Sequence, residues 1–245
     1  MKKSLYLFLL SFSFSSLAAI TVVSDLENTI SINGLTGTLS DQVYTSMPEV
    51  LNASRHYAGQ VDIMSHTVAL MRGKISKTLE KQNIRVDNII LRSVLVNQPE
   101  KTFKINELKK LISRSGDDFI LIGDDVGEDP EVFDEIKKLY PQRILAGYVH
   151  LVKGRVLPQS LIGYYTGFDL VLREFAAGRM SDSGVKEVYQ KLMEEQDLKK
   201  VFPVLTQCPI NPKTYLWHLT TPYRKESLAL SKKFYAFCLS RLPGL

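Results

Sequence analysis

From Ile20 to about Lys153, short apolar runs alternate with segments whose apolar residues recur at helical spacing. A chain patterned in this way folds as a parallel sheet with helices on its faces, because parallel strands need long crossovers and the crossover is a helix. Five runs read as strands: residues 20–25 (ITVVSD), 60–65 (QVDIMS), 88–94 (NIILRSV), 118–124 (DFILIGD) and 143–151 (RILAGYVHL). Most are nearly continuous in apolar character, as strands covered on both faces are. Between them, Met71, Ile75 and Leu79 mark one helix, and Ile105, Leu108, Leu111 and Ile112 mark another that Gly116 closes. A helix also opens at Ser46-Met47-Pro48 and another at Asp129-Pro130, with proline at a first-turn position. Past Lys153 the alternation stops; residues 166–178, 181–195 and 228–239 read as helices around an irregular, aromatic-rich stretch.

Residues 1–18 stand outside this pattern. Met1-Lys2-Lys3, an apolar run from Leu5 to Leu17 and the small residues around Ala18 have the layout of a secretory signal peptide. The run is shorter than a bilayer span requires, so cleavage and export are expected, with an uncleaved anchor as the competing reading. That places the chain in the periplasm or outside a bacterial cell. The formal net charge of +5, with two of its lysines in the leader, is no nucleic-acid footprint. In an oxidising compartment Cys208 and Cys238 can close a disulfide; two buried thiols are the alternative. The expected organisation is therefore a leader at 1–18, an α/β domain at 19–152 and a helical extension at 153–245 packed on it.

In an open parallel sheet, functional groups collect beyond the carboxyl ends of the strands. The first strand ends in Asp25, with Glu27 following; the second ends in Ser65; the fourth ends in Gly123-Asp124, with Asp125 and Asp129 beyond it. Lys104 sits near the start of the helix before the fourth strand. Carboxylates are hard ligands for Mg2+, one carboxylate can attack phosphorus, and a hydroxyl and an ammonium can hold phosphate oxygens. Other chemistries lack their motifs. No P-loop or GxGxxG opens a helix, no GxSxG elbow occurs, and the histidines and cysteines lack zinc-ligand spacing.

These residues resemble the motifs of the haloacid-dehalogenase (HAD) superfamily: DLENT at 25–29, IMSHT at 63–67, Lys104 in TFKINEL and GDDVGED at 123–129. FILIGDDVGEDPEVFDEIKKLYPQRILAGYVH, residues 119–150, is more closely similar to the catalytic domain of actin-patch-protein-type phosphatidate phosphatases. The resemblance covers Ile20 to about Leu151 and implies a HAD-like Rossmannoid fold with a five-stranded parallel sheet, helices on both faces and no large cap. It implies Asp25 as nucleophile and Asp25, Asp124, Asp129 and the Glu27 carbonyl as Mg2+ ligands. Ser65 and Lys104 would grip the phosphate.

Glu27 stands where the superfamily usually has an acid/base Asp. Its side chain is longer by one methylene, about 1.5 Å, and errors of about 1 Å in placement cost on the order of a hundredfold in rate. An active phosphatase and a non-catalytic or impaired binder of a phosphorylated ligand both remain open. The lack of a cap favours a bulky phosphomonoester, with phosphatidate or a phosphoprotein among the candidates. Residues 31–46, with Gly34 and Gly37, read as a mobile flap over the site. Tyr215, Trp217 and Tyr223 either pack on the sheet or touch lipid, so peripheral membrane contact is open.

Overall fold

Six parallel strands form one sheet in the order β3-β2-β1-β4-β5-β6. The computed structural model describes residues 18–203, 208 and 222–241. The signal-like segment and the aromatic stretch with Tyr215 and Trp217 lie outside the described residues. The strands are β1 (Ile20–Ser24), β2 (Gln60–Val68), β3 (Asn88–Arg92), β4 (Asp118–Asp124), β5 (Ile144–His150) and β6 (Ile162–Tyr164). The five strands expected from sequence are joined by a sixth. β6 is only three residues long and pairs Ile162 with Tyr148 and Tyr164 with His150. IGY is too short to carry a periodicity of its own, and its pairing with β5 fixes it as a strand.

Alternate strand residues enter two separate cores, which is why the runs are apolar throughout. Val22, Ile120, Ile122 and Tyr148 face one layer. Helices α2 (Met47–Ser54), α3 (Arg72–Lys81), α6 (Gly167–Ala176), α7 (Asp182–Glu194), α8 (Leu198–Val201) and α9 (Arg224–Leu239) contribute buried residues there. Val23, Phe119, Leu121 and Val149 face the other, covered by α4 (Glu100–Arg114) and α5 (Asp129–Leu139). The segment after β6 thus shares the first core, through Phe168, Leu170, Val185 and Phe234. Cys208 and Cys238 form a disulfide with a Cα separation of 5.5 Å. No helix among the described residues is long and apolar enough to cross a membrane.

Residues 31–46 are not a loose flap. They carry a short helix, α1 (Gly34–Leu39), and tie to α3 through the Thr78 hydroxyl, which donates to the Thr38 carbonyl at 2.9 Å, and a Lys81–Asp41 ion pair at 2.5 Å. Gly37 is there for close approach rather than mobility: a Cβ would lie 1.4 Å from the Ile32 carbonyl oxygen.

Candidate active site

β1 and β4 are neighbours, and the chain leaves them in opposite directions across the sheet, so a crevice opens beyond their carboxyl ends. Asp25 follows β1, its amide donating to the Ile122 carbonyl at 2.7 Å, and Asp124 ends β4. Asp129 is the first residue of α5, and its Oδ2 accepts from the Asp124 amide at 3.2 Å. One carboxylate oxygen from each of Asp25, Asp124 and Asp129 lies within 4.8 Å of the others, and all three residues are buried. Gly123 makes this possible, since a Cβ there would stand 2.3 Å from Asp129 Oδ2.

Lys104 reaches into the cluster from α4. Its Nζ lies 2.8 Å from Asp25 Oδ1, 2.6 Å from Asp129 Oδ1 and 3.0 Å from Glu100 Oε1. Burial alone would lower the lysine pKa, but Asp129, Asp25 and Glu100 outweigh it and hold the ammonium charged. For the acids the balance runs the other way. Burial raises Asp25 well above the carboxylate range against the pull of Lys104, with Asp129, Glu27 and Asp124 adding to the rise. Burial, then the Asp129 charge, pushes Asp124 up to about 7. Burial likewise raises Asp129, with Lys104 opposing. A single ammonium beside these acids leaves a surplus of negative charge in a buried crevice, and a hard cation or a proton is what neutralises it.

Glu27 stands at the mouth. Ser65 Oγ donates to its carboxylate at 2.8 Å and Thr67 Oγ1 donates at 2.6 Å. A register irregularity of β2 between Ser65 and Val68 accompanies this pair of hydroxyls. Asn28 follows with φ of 61°, a left-handed conformation asparagine tolerates, and its carbonyl oxygen lies 2.8 Å from His150 Nδ1. Thr29 Oγ1 donates to Asp124 Oδ2 at 3.3 Å. A cavity of about 410 Å³ opens here, lined by Asp25, Glu27, Thr67, Glu100, Asp124 and Gly127 among others. A groove of about 750 Å³ along the β3 edge contains none of these strand-end acids.

The strand-end residues singled out from the sequence, Asp25, Glu27, Ser65, Lys104, Asp124 and Asp129, therefore meet at one point. Asp125 does not join them. It is buried and turned to the loop after β5, where its Oδ1 accepts from the Val152 and Lys153 amides at 2.8 and 2.7 Å. His66 also lines this cavity, and its Nε2 lies 2.7 Å from the Gln98 carbonyl oxygen. Two members escaped the sequence reading. Glu100 precedes Lys104 by four residues, so helical spacing was a usable signal. His150 had none, because its ring acts through the backbone of a loop 122 residues away.

The family model described as "Phosphatidate phosphatase APP1, catalytic domain" matches residues 20–150, the stretch that carries every residue of this cluster. No curated protein matches the chain. Among solved structures, the Pnkp1/Rnl/Hen1 complex is 20% identical with a TM-score of 0.42, over 56% of this chain and 48% of that one. A Pnkp1/Rnl/Hen1 RNA repair complex is 19% identical with a TM-score of 0.41, over 60% and 43%. The chain spans less than half the length of either, and likenesses this low carry no argument.

Proposed function

Because the chain belongs to the family of the APP1 phosphatidate phosphatase catalytic domain, we propose that it is a Mg2+-dependent phosphohydrolase acting on a bulky phosphomonoester, phosphatidate first among them. The observation that carries this reading is the buried convergence of Asp25, Asp124 and Asp129, with the Lys104 ammonium held between Asp25 and Asp129. The donor set suits the metal. It consists of hard carboxylate oxygens on three acids whose charge burial disfavours, so that a divalent cation relieves the repulsion. Asp25, Asp124, Asp129 and the Glu27 carbonyl are the proposed ligands. Bound there, Mg2+ would neutralise charge on the phosphoryl oxygens.

In the proposed reaction a carboxylate oxygen of Asp25 attacks phosphorus and the bond to the leaving oxygen breaks, leaving an aspartyl-phosphate. Glu27 gives its proton to the departing alkoxide. It then takes a proton from the water that attacks phosphorus, which frees inorganic phosphate and regenerates Asp25. Lys104 and Ser65 hold the phosphoryl oxygens, so Ser65 Oγ must leave the Glu27 carboxylate as substrate enters. The domain is read as a HAD-like fold without a large cap, residues 19–152, with the C-terminal segment as its helical support. Export is part of the proposal, supported by the leader-like first residues and by a disulfide, which persists in oxidising compartments.

One observation favours a second reading. The Glu27 carboxylate is already held by two hydroxyls, which suits a protein that binds a phosphorylated ligand without turnover. Phosphate release from phosphatidate and from a generic phosphomonoester, with Mg2+ or chelator, separates the two. The enzyme reading expects release from the wild type that chelator stops. Release absent from the wild type and gained in Glu27→Asp assigns the chain to the binders.

A further inference from the structure

The residues that frame the crevice differ in character from the crevice itself. Three segments emerge at the carboxyl edge of the sheet beside it: residues 66–79 after the core of β2, 88–99 through β3 and its loop, and 151–161 after β5. None of the three contains an aspartate or glutamate, and together they carry Arg72, Lys74, Lys77, Arg92, Lys153 and Arg155. Each also displays an aliphatic side chain almost wholly in water: Leu70 at 81%, Leu95 at 90% and Val156 at 98% of full exposure.

These exposed tips stand on well-tied backbone. Arg92 donates from Nη1 to the Val96 carbonyl at 3.0 Å, the Leu95 amide donates to Ser93 Oγ at 3.2 Å, and His66 secures the Gln98 carbonyl at 2.7 Å. Leu95 is held at the summit of that turn. On the far side, Asp125 accepts from the Val152, Lys153 and Arg155 amides at 2.7–2.8 Å, and Arg155 Nη1 donates to the Gly127 carbonyl at 2.9 Å. Val156 projects from the end of this framework. The buried Asp125, which has no place in the proposed chemistry, thereby acquires one as the anchor of a docking loop.

In the strand order, β3 and β5 are four steps apart with β1 and β4 between them. At about 4.8 Å per step the two loops are roughly 19 Å apart and the crevice lies between them. A plane resting on the three tips would therefore cover the site. Glu131 pairs with Arg155, and among the described residues Arg72, Lys74, Lys77, Arg92 and Lys153 have no acidic partner. Apolar tips flanked by such cations match a surface with an anionic face over an apolar interior, which is a phospholipid bilayer.

We propose that Leu70, Leu95 and Val156, backed by these cations, form a docking face that seats the crevice on an anionic bilayer. This deepens the lipid-phosphatase reading and rests on it for the identity of the substrate, though not for the docking itself. The full protein is tested for co-flotation with vesicles of phosphatidylcholine and phosphatidylglycerol, whose headgroups contain no phosphomonoester for the site to recognise. Turnover of a soluble generic phosphomonoester is measured alongside.

Wild type should float with these vesicles and detach as salt screens the cations. Leu70→Ser, Leu95→Ser and Val156→Ser should each weaken binding about tenfold and leave soluble turnover intact. A wild type that stays off the vesicles overturns the proposal, and so does a triple variant that binds like wild type. Loss of soluble turnover in the variants would make the residues structural and also overturn it. Vesicle binding that depends on the three tips, in a protein without turnover, would uphold the docking face while refuting the phosphatase.

Discussion

Replacing Lys104 with methionine removes one buried ammonium and nearly nothing else, since the unbranched side chain fills similar space. In the structure that ammonium is 2.6–3.0 Å from three carboxylates, and its side chain is 4% exposed. Stripping one partner from a buried ion pair costs about 3–5 kcal/mol, because the remaining charge is left dry and uncompensated. In a domain of this size each kcal/mol moves Tm by about 2–4 °C, so Lys104→Met should lower Tm by roughly 6–20 °C in chelator. The cost has a sign in pH. Asp25, Asp124 and Asp129 already have raised folded-state pKa values, and losing Lys104 raises those of its acid partners further. The folded state then binds more protons than the unfolded one at neutral pH, so stability falls as pH rises and the deficit shrinks in acid. Mg2+ should restore part of the loss, since the ligands are intact. Differential scanning fluorimetry across pH, with chelator or Mg2+, reads all three effects. A Tm within 2 °C of wild type, or a loss that does not change with pH, would refute this account of how the cluster is held.

One further substitution and one change of condition probe the same site. Gly123→Ala should leave the sheet intact but displace the Asp129 carboxylate, because the new Cβ falls 2.3 Å from its Oδ2; equilibrium dialysis should show Mg2+ affinity falling by tenfold or more, about 1.4 kcal/mol. With the metal-free carboxyl of Asp124 at about 7 and that of Asp25 also raised by burial, Mg2+ must displace protons at and below neutral pH, so affinity should rise with pH through about 7. Calorimetric titrations between about pH 5 and 8 check this, and an affinity flat below 7 counts against Asp124 as a ligand.

The central strands were legible because their burial on both faces leaves a continuous apolar record, and residues 118–124 coincide with β4 to the residue. The strand-end rule places Asp25 and Asp124 at one edge from the sequence alone, with Asp129 just beyond. β6 left too short a record, and its partner β5 lies well upstream. The misreading of 31–46 came from treating glycine as freedom, where Gly37 instead answers a backbone contact that only the tertiary structure creates. The grip on Glu27 by Ser65 and Thr67 also had no sequence signature, since it depends on the local course of β2 meeting a loop nearly forty residues away. The apolar rim was invisible for a related reason. Leu70, Leu95 and Val156 look like ordinary core residues in the sequence, and only their exposure sets them apart.

The claim on which the rest depends is that Asp25 receives the phosphoryl group. Acid-quenching the protein in the first seconds after mixing with Mg2+ and a radiolabelled phosphomonoester tests it directly, because an acyl-phosphate on Asp25 survives acid and is cleaved in mild base. The account predicts label on the wild-type chain that maps to the peptide containing Asp25, and neither label nor phosphate release in Asp25→Asn. Phosphate release by Asp25→Asn at the wild-type rate would contradict it.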